Sequence, residues 1–217
     1  MINKASLMSD FRALGMHEGD TIFIHSAYST LSKAPGGVEG CPQTVIDAII
    51  EVVGESGTLI APTFNYDFLR GTPWDIRTTP SQMGVLTEFV RLDPRAKRMF
   101  HAIYSMAAIG RHADELAAHR SNDCFGETTV FKKFRDWNAK ILIIGLPYSK
   151  SITFLHHCEQ AAQVDYRFLK EFKGAGMDAQ GRPHELTYTM FVRDVERGVV
   201  LDFEPIGAIL DKQVATM

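Results

Sequence analysis

The chain has 217 residues, 45% hydrophobic and 23% charged, a make-up that fills one core and predicts a single domain over residues 1–217. A formal charge of −3 and an isoelectric point near 6.2 supply no basic field for a phosphate backbone, which argues against nucleic acid as a partner. Cys41, Cys124 and Cys158 are widely spaced without a C-x-x-C pair, and no apolar run approaches the roughly 20 residues of a membrane helix, so no membrane is expected and a reducing cytoplasm fits best.

Leu7, Phe11 and Leu14 recur at helical spacing before Gly15, and Thr21 to His25 then reads as a buried strand. After a small-residue loop, Ser26 to Gly40, the stripe Val45, Ile46, Ile49, Ile50 and Val53 predicts a helix that Gly54 ends. Thr58 to Ala61 follows as a second strand, and such a strand, helix, strand unit places the two strands parallel. Pro62 to Met83 has no clear period and is long for a connection, which marks it as lining a site. Gly84 to Leu92 reads as a helix, Tyr104 to Ile109 as a strand, Arg111 to Ala118 and Thr128 to Trp137 as helices, and Ile141 to Leu146 as the clearest buried strand. Beyond Asp165 the period changes: Arg167 to Met177 is ambiguous, 178–181 is a turn, and Leu186 to Val192 is expected to pair with Val199 to Phe203 at a sheet edge.

The most informative run is Lys150 to Gln160, where Thr153, His156 and Glu159 follow a strand at three-residue spacing and so share one helix face. Ligands of open α/β sheets gather where strands end and helices begin, which places His156 for proton transfer with Glu159 holding its tautomer. His25, at another strand end, is more often a packing residue than a catalyst when taken alone. Ser26, Ala27, Tyr28 and Ser29 form a turn whose backbone N–H groups could approach an anion, although the spacing matches neither a dinucleotide fingerprint nor a P-loop. Arg95, Lys97, Arg98 and His101 are either a second anion contact or a solvated surface turn. His156 and His157 diverge by about 100° on a helix and H-E-x-x-H is absent, so no metal is expected; the Cys158 thiol beside His157 is read as inert.

The ordered set of Gly19-Asp20, Ile24 to Ser29, Gly36-Gly37, Val45 to Ala48, Gly57 to Phe64, Gly84 to Arg91, Arg98 with His101 and Ser105, Phe125-Gly126, Leu142 to Gly145 and Thr153 to Glu159 resembles the aminoglycoside 3-N-acetyltransferase family. The resemblance implies an α/β fold, a three-layer α/β/α sandwich with a mixed, largely parallel central sheet. It also implies acetyl-coenzyme A as co-substrate, with Ser26, Ala27, Tyr28, Ser29, Arg98, His101 and Ser105 toward the cofactor. His156, of T-x-x-H-x-x-E, is implied as catalytic base, and Asp194 or Glu196 as its downstream acid partner beside Glu159.

Two departures stand out: Ser26-Ala27-Tyr28-Ser29 where the family has Ser-Ser-Leu-Ser, and His101-Ala102 where it has His-Pro. The C-terminal closing segment is also short relative to the family, and a second copy covering that surface makes a homo-oligomer an expectation. The expected reaction is acetyl transfer to the amine of a small-molecule acceptor, an aminoglycoside or another amino sugar. The alternatives are a non-catalytic coenzyme A or sugar binding protein on the same scaffold, or a purely structural subunit.

Overall fold

A computed structural model describes residues 1–40 and 42–214, the side chains of 213 and 214 excepted; Cys41 lies outside the described residues. Asn3 opens α1 (Lys4–Ala13) with a capping box, its Oδ1 accepting from the Ser6 N–H at 2.9 Å while the Ser6 hydroxyl accepts from the Asn3 N–H at 3.0 Å. Leu7 and Phe11 are buried, whereas Leu14, the third member of the expected stripe, caps the helix and is 74% exposed. β1 (Thr21–Ser26) follows, then a short helix α2 (Tyr28–Ser32) within the predicted loop, then α3 (Pro42–Val53) with Val45, Ile46, Ile49, Val52 and Val53 buried.

β2 (Thr58–Pro62) pairs parallel with β1, Thr21 opposite Thr58, as the strand, helix, strand unit requires. β1 pairs parallel on its other side with β6 (Lys140–Ile144), while β5 (Met106–Gly110) runs antiparallel to β2 and the short β4 (Lys97–Arg98) antiparallel to β5. The order β4-β5-β2-β1-β6 makes β6 an edge strand, with Ile141 36% exposed, rather than the buried strand its sequence predicts. Its apolar composition suits a core strand, but composition does not encode which neighbours a strand has, and among the described residues only β1 pairs with it. Two parallel and two antiparallel pairings make this central sheet mixed, as expected, with β5 running against the other four strands.

A second sheet replaces the expected edge pair. β3 (Trp74–Asp75) lies parallel to β7 (Arg167–Met177), which pairs over its whole length with antiparallel β8 (Pro183–Arg193). The partner of 186–192 is therefore 167–177, and 199–203 carries no strand but leads into α8 (Glu204–Val214). Asp178 closes the hairpin turn, its Oδ1 accepting from the Gln180 and Arg182 N–H groups at 2.9 Å, and Gly181 supplies the left-handed φ of +76°. The architecture is thus two mixed sheets, not a single three-layer sandwich.

Side-chain alternation along the central strands divides the interior. Ile22, Ile24, Leu59 and Ala61 meet α1, α3 and α4 (Val85–Leu92) in one core. Phe23 and Ile60 point the other way, where the second sheet contributes Trp74, Tyr188, Met190 and Phe191, and α5 (Ala113–Ala118) and α6 (Val130–Asp136) contribute Leu116, Phe131 and Phe134. Because β1, β2 and β6 are parallel and β5 antiparallel, their site-bearing connections gather at one end: 25–29, 62–66, 103–105 and 145–153. Hydrogen bonds from Thr63 N–H to Ser105 O and from Ala27 N–H to Ile144 O, 2.9 and 2.8 Å, knit that end together.

Candidate active site

At the strand ends, α7 (Phe154–Ala161) follows β6 after the nine-residue 145–153 connection. Gly145 makes the exit possible: its φ is +66°, and a Cβ there would stand 2.6 Å from the Thr30 side chain of α2. On α7 the helical period separates two adjacent histidines. His157 turns inward, fully buried, and its Nδ1–H donates to Phe125 O at 2.6 Å. His156 stays one-quarter exposed, and its Nδ1 lies 2.6 Å from Oε2 of the buried Glu159 one turn on.

An ionised carboxylate only accepts, so Nδ1 carries the proton in this bond and the Nε2 lone pair is left facing outward from the pair. The Phe125 ring packs 5.1 Å from the imidazole and Phe203 6.1 Å, fixing its plane. Phe125 is itself placed by Asp123, which accepts from its N–H at 3.0 Å; a Cβ on Gly126 would meet the other Asp123 oxygen at 2.0 Å.

Glu159 has two further partners. The Arg167 guanidinium, at the start of β7, donates from Nη2 to the same Oε2 at 2.9 Å, and the Tyr166 hydroxyl donates to Oε1 at 2.9 Å. Burial by itself would push the Glu159 carboxyl up, but the hydrogen bonds from His156 and Arg167 outweigh it and hold the group below the usual carboxylate range. Neither Tyr166 nor Arg167 stands out in sequence, because the i,i+3 signal that joins His156 to Glu159 does not extend to a different element.

The remaining site residues fall into three groups. Asp194, just past β8, accepts from the Glu196 backbone N–H at 3.1 Å, and both stand apart from the His156–Glu159 hydrogen bonds. Ser26 ends β1, and Ala27, Tyr28 and Ser29 make the strand-to-helix turn into α2. His25, immediately before, is 7% exposed with its Nε2 buried and unpartnered, and burial drives its pKa down to about 4.

Arg98, His101 and Ser105 form interior supports. Arg98 donates to Ser105 Oγ at 3.0 Å, to Thr63 O at 3.1 Å, and to the Ile76 and Thr79 carbonyls at 2.9 and 2.7 Å, clamping the 62–83 connection to the sheet. Desolvation lowers its pKa to about 9, with Arg91 repelling it further. His101 stacks 4.1 Å over Tyr188, and its Nδ1 accepts from the Ile103 and Tyr104 N–H groups at 3.2 and 3.0 Å. Arg95 and Lys97 are held in ion pairs with Asp93, Asp47 and Asp114, so these four basic side chains do not make an open patch.

Fold and site together define an α/β protein with a histidine–carboxylate pair at the strand ends. The family profile described as aminoglycoside 3-N-acetyltransferase (Antibiotic_NAT) matches residues 23–217. Aminoglycoside N(3)-acetyltransferase III of Serratia marcescens is 31% identical over 178 residues, 73% of this chain, and aminoglycoside N(3)-acetyltransferase VII of Streptomyces paromomycinus is 32% identical over 183 residues, 75% of this chain. The chain spans 64% and 62% of the length of these two relatives. Among solved structures, aminoglycoside acetyltransferase AAC(3)-Xa superposes with a TM-score of 0.82 at 28% identity over 99% of this chain and 82% of that one. AAC-IIIb in a binary complex with CoASH gives 0.81 at 25% identity over 99% and 85%. The chain belongs to the aminoglycoside 3-N-acetyltransferase family.

Among the described residues no helix is long and apolar enough to cross a membrane.

Proposed function

We propose that this chain is an acetyl-coenzyme A dependent N-acetyltransferase, acting as a single domain in the cytoplasm on the amine of an aminoglycoside or related amino sugar, with His156 as general base. The observation that carries this reading is the 2.6 Å bond between His156 Nδ1 and Glu159, which places the ring proton on Nδ1 and leaves Nε2 with a free lone pair on a one-quarter-exposed side chain. Acetyl-coenzyme A supplies an activated thioester carbonyl, and an amine attacks such a carbon only as its free base. His156 Nε2 takes the amine proton as the carbon–nitrogen bond forms, Glu159 stabilises the imidazolium, and the proton passes to the departing thiolate.

The cofactor reading is supported by a relative solved with CoASH and by the strand-to-helix turn at Ser26, Ala27, Tyr28 and Ser29. The unpartnered Nε2 of His25 beside that turn is an orphaned polar atom that a bound ligand would satisfy. Arg98, His101 and Ser105 support that turn indirectly, by holding the 62–83 connection and the 101–105 turn in place.

His156→Ala tests the proposal. Acetyl transfer, followed by thiol release with a panel of aminoglycosides and amino sugars, is expected to fall by about 100-fold or more while coenzyme A still raises the melting temperature. Turnover retained by the alanine variant removes His156 from the mechanism. Binding of coenzyme A with no turnover on any amine by the unmodified chain favours the non-catalytic alternative.

A further inference from the structure

We propose that Arg167 is a positioning residue of this site, dividing the Glu159 carboxylate between itself and His156 so that the acid orients the imidazole without binding it as a full counter-ion. The inference rests on the reading of His156 as base. Arg167 belongs to the second sheet, not to the strand-end crevice: it is the first residue of β7, opposite Arg193. Its side chain is 7% exposed, that of Glu159 8%, and Nη2 stands 2.9 Å from Oε2. The same Oε2 receives the His156 Nδ1–H at 2.6 Å.

Arg167 Nη2 also comes within 3.1 Å of His156 Nδ1 itself. That nitrogen already donates its proton to Glu159 and so has no lone pair to offer the guanidinium. The approach sets a fixed positive charge beside the ring, tolerated because both nitrogens share one anionic oxygen. Nη1 donates to Phe191 O of β8 at 3.0 Å, which locks the guanidinium to the hairpin. Tyr166 holds the other carboxylate oxygen at 2.9 Å.

The arrangement has a consequence for proton transfer. A base must take a proton from the amine and then give it up, and an unshared buried carboxylate against Nδ1 would favour the imidazolium before substrate arrives. Arg167 takes up part of that negative charge and repels a second cation. The other charged groups nearby do not replace it: Asp165 is paired with Arg197 at 3.0 Å, and Asp194 accepts from the Glu196 N–H. Phe125 and Phe203, the rings packed on His156, carry no charge.

The experiment is the pH profile of kcat/KM for Arg167→Gln, Arg167→Lys and Tyr166→Phe beside the unmodified chain and His156→Ala. Arg167→Gln is expected to move the acidic limb upward by about one pH unit, so that kcat/KM drops about tenfold at pH 6 and less than threefold at pH 8.5. KM for acetyl-coenzyme A stays within about twofold, and Arg167→Lys, which keeps the charge but not the fork, recovers most of the shift. Tyr166→Phe moves the limb in the same direction by less. A profile for Arg167→Gln that superimposes on the unmodified one, or falls equally at all pH values, overturns the inference. Where Arg167→Gln fails to fold, Arg167→Lys and Tyr166→Phe decide together: a limb raised in Tyr166→Phe while Arg167→Lys holds its position supports the sharing of the carboxylate, and a limb unmoved in Tyr166→Phe, or moved a whole unit in Arg167→Lys, refutes it. Full turnover in His156→Ala would instead refute the reading beneath the inference.

Discussion

Lowering the pH from 8 to 5 is expected to remove about 4 kcal/mol of folding stability, and the cause is two buried imidazoles. Burial lowers His25 from 6.5 to about 4 and His101 from 6.5 to about 3. The geometry agrees with the direction. The His101 Nδ1 accepts two backbone N–H groups, both of which a proton there would displace, and His25 Nε2 has no acceptor within reach to receive an added N–H. A base with depressed folded-state affinity binds its proton more readily when unfolded, so stability is intact above about 6.5 and drains as pH falls toward about 4 and about 3.

At pH 5 the unfolded imidazoles are almost fully charged and the folded ones almost fully neutral, which costs about 2 kcal/mol each. His112 and His119 are pushed the same way by burial and add to the loss. The carboxylates act lower: Glu159 and Asp93, the latter held at about 2 by Arg95, begin to matter only beneath the ordinary carboxylate range. Urea unfolding at pH 8, 6.5 and 5, read by far-ultraviolet circular dichroism, measures the effect. His101→Asn, whose amide oxygen can take the place of Nδ1, should reduce the loss between pH 8 and 5 by about half. Equal stability at pH 8 and 5, or an undiminished loss in a His25, His101 double variant, would refute the reasoning.

Saturating coenzyme A at 100 times its dissociation constant should stabilise the fold by about 2.7 kcal/mol, read as a rise in melting temperature; no shift would disown the cofactor. Arg98→Met leaves the Thr63, Ile76 and Thr79 carbonyls without their donor, and relief of the buried charge offsets only part, so a loss of about 3 kcal/mol and new protease cleavage within 62–83 are expected. Gly110→Ala puts a Cβ 2.2 Å from Gly57 O at a φ of +113° and should cost more than about 2 kcal/mol by urea unfolding. Gly198→Ala, with φ +64° and open space, should cost about 1 kcal/mol; equal penalties at the two glycines would contradict the steric argument.

Local signals in the sequence carried a good part of this molecule. The stripe from Val45 to Val53 named α3, Gly54 its end, and the i,i+3 spacing of His156 and Glu159 their contact, because each depends on residues within one element. Pairings between distant segments were less legible. KILII has the composition of a core strand and lies at the edge, since its place depends on partners far along the chain. RFLKEFKGAGM mixes charge and apolar residues because much of β7 is exposed, and so it gave no period strong enough to claim β8. The basic cluster around Arg98 reads in sequence as either an anion contact or a surface turn, yet two of its members are interior because backbone groups, invisible in sequence, satisfy them: carbonyls for Arg98 and N–H groups for His101.

The open flank of β6 bears on how this chain meets its own kind. Five residues long, the strand is hydrogen-bonded to β1 along one side, and its peptide groups on the other have no strand beside them among the described residues. Lys140, the charge that would normally discourage a newcomer, is bent back to Asp20 and to Gly15 O at 2.7 and 2.9 Å. Among the described residues this rim therefore carries neither a strand nor a guarding charge, the kind of edge at which an added extended segment is expected to pair.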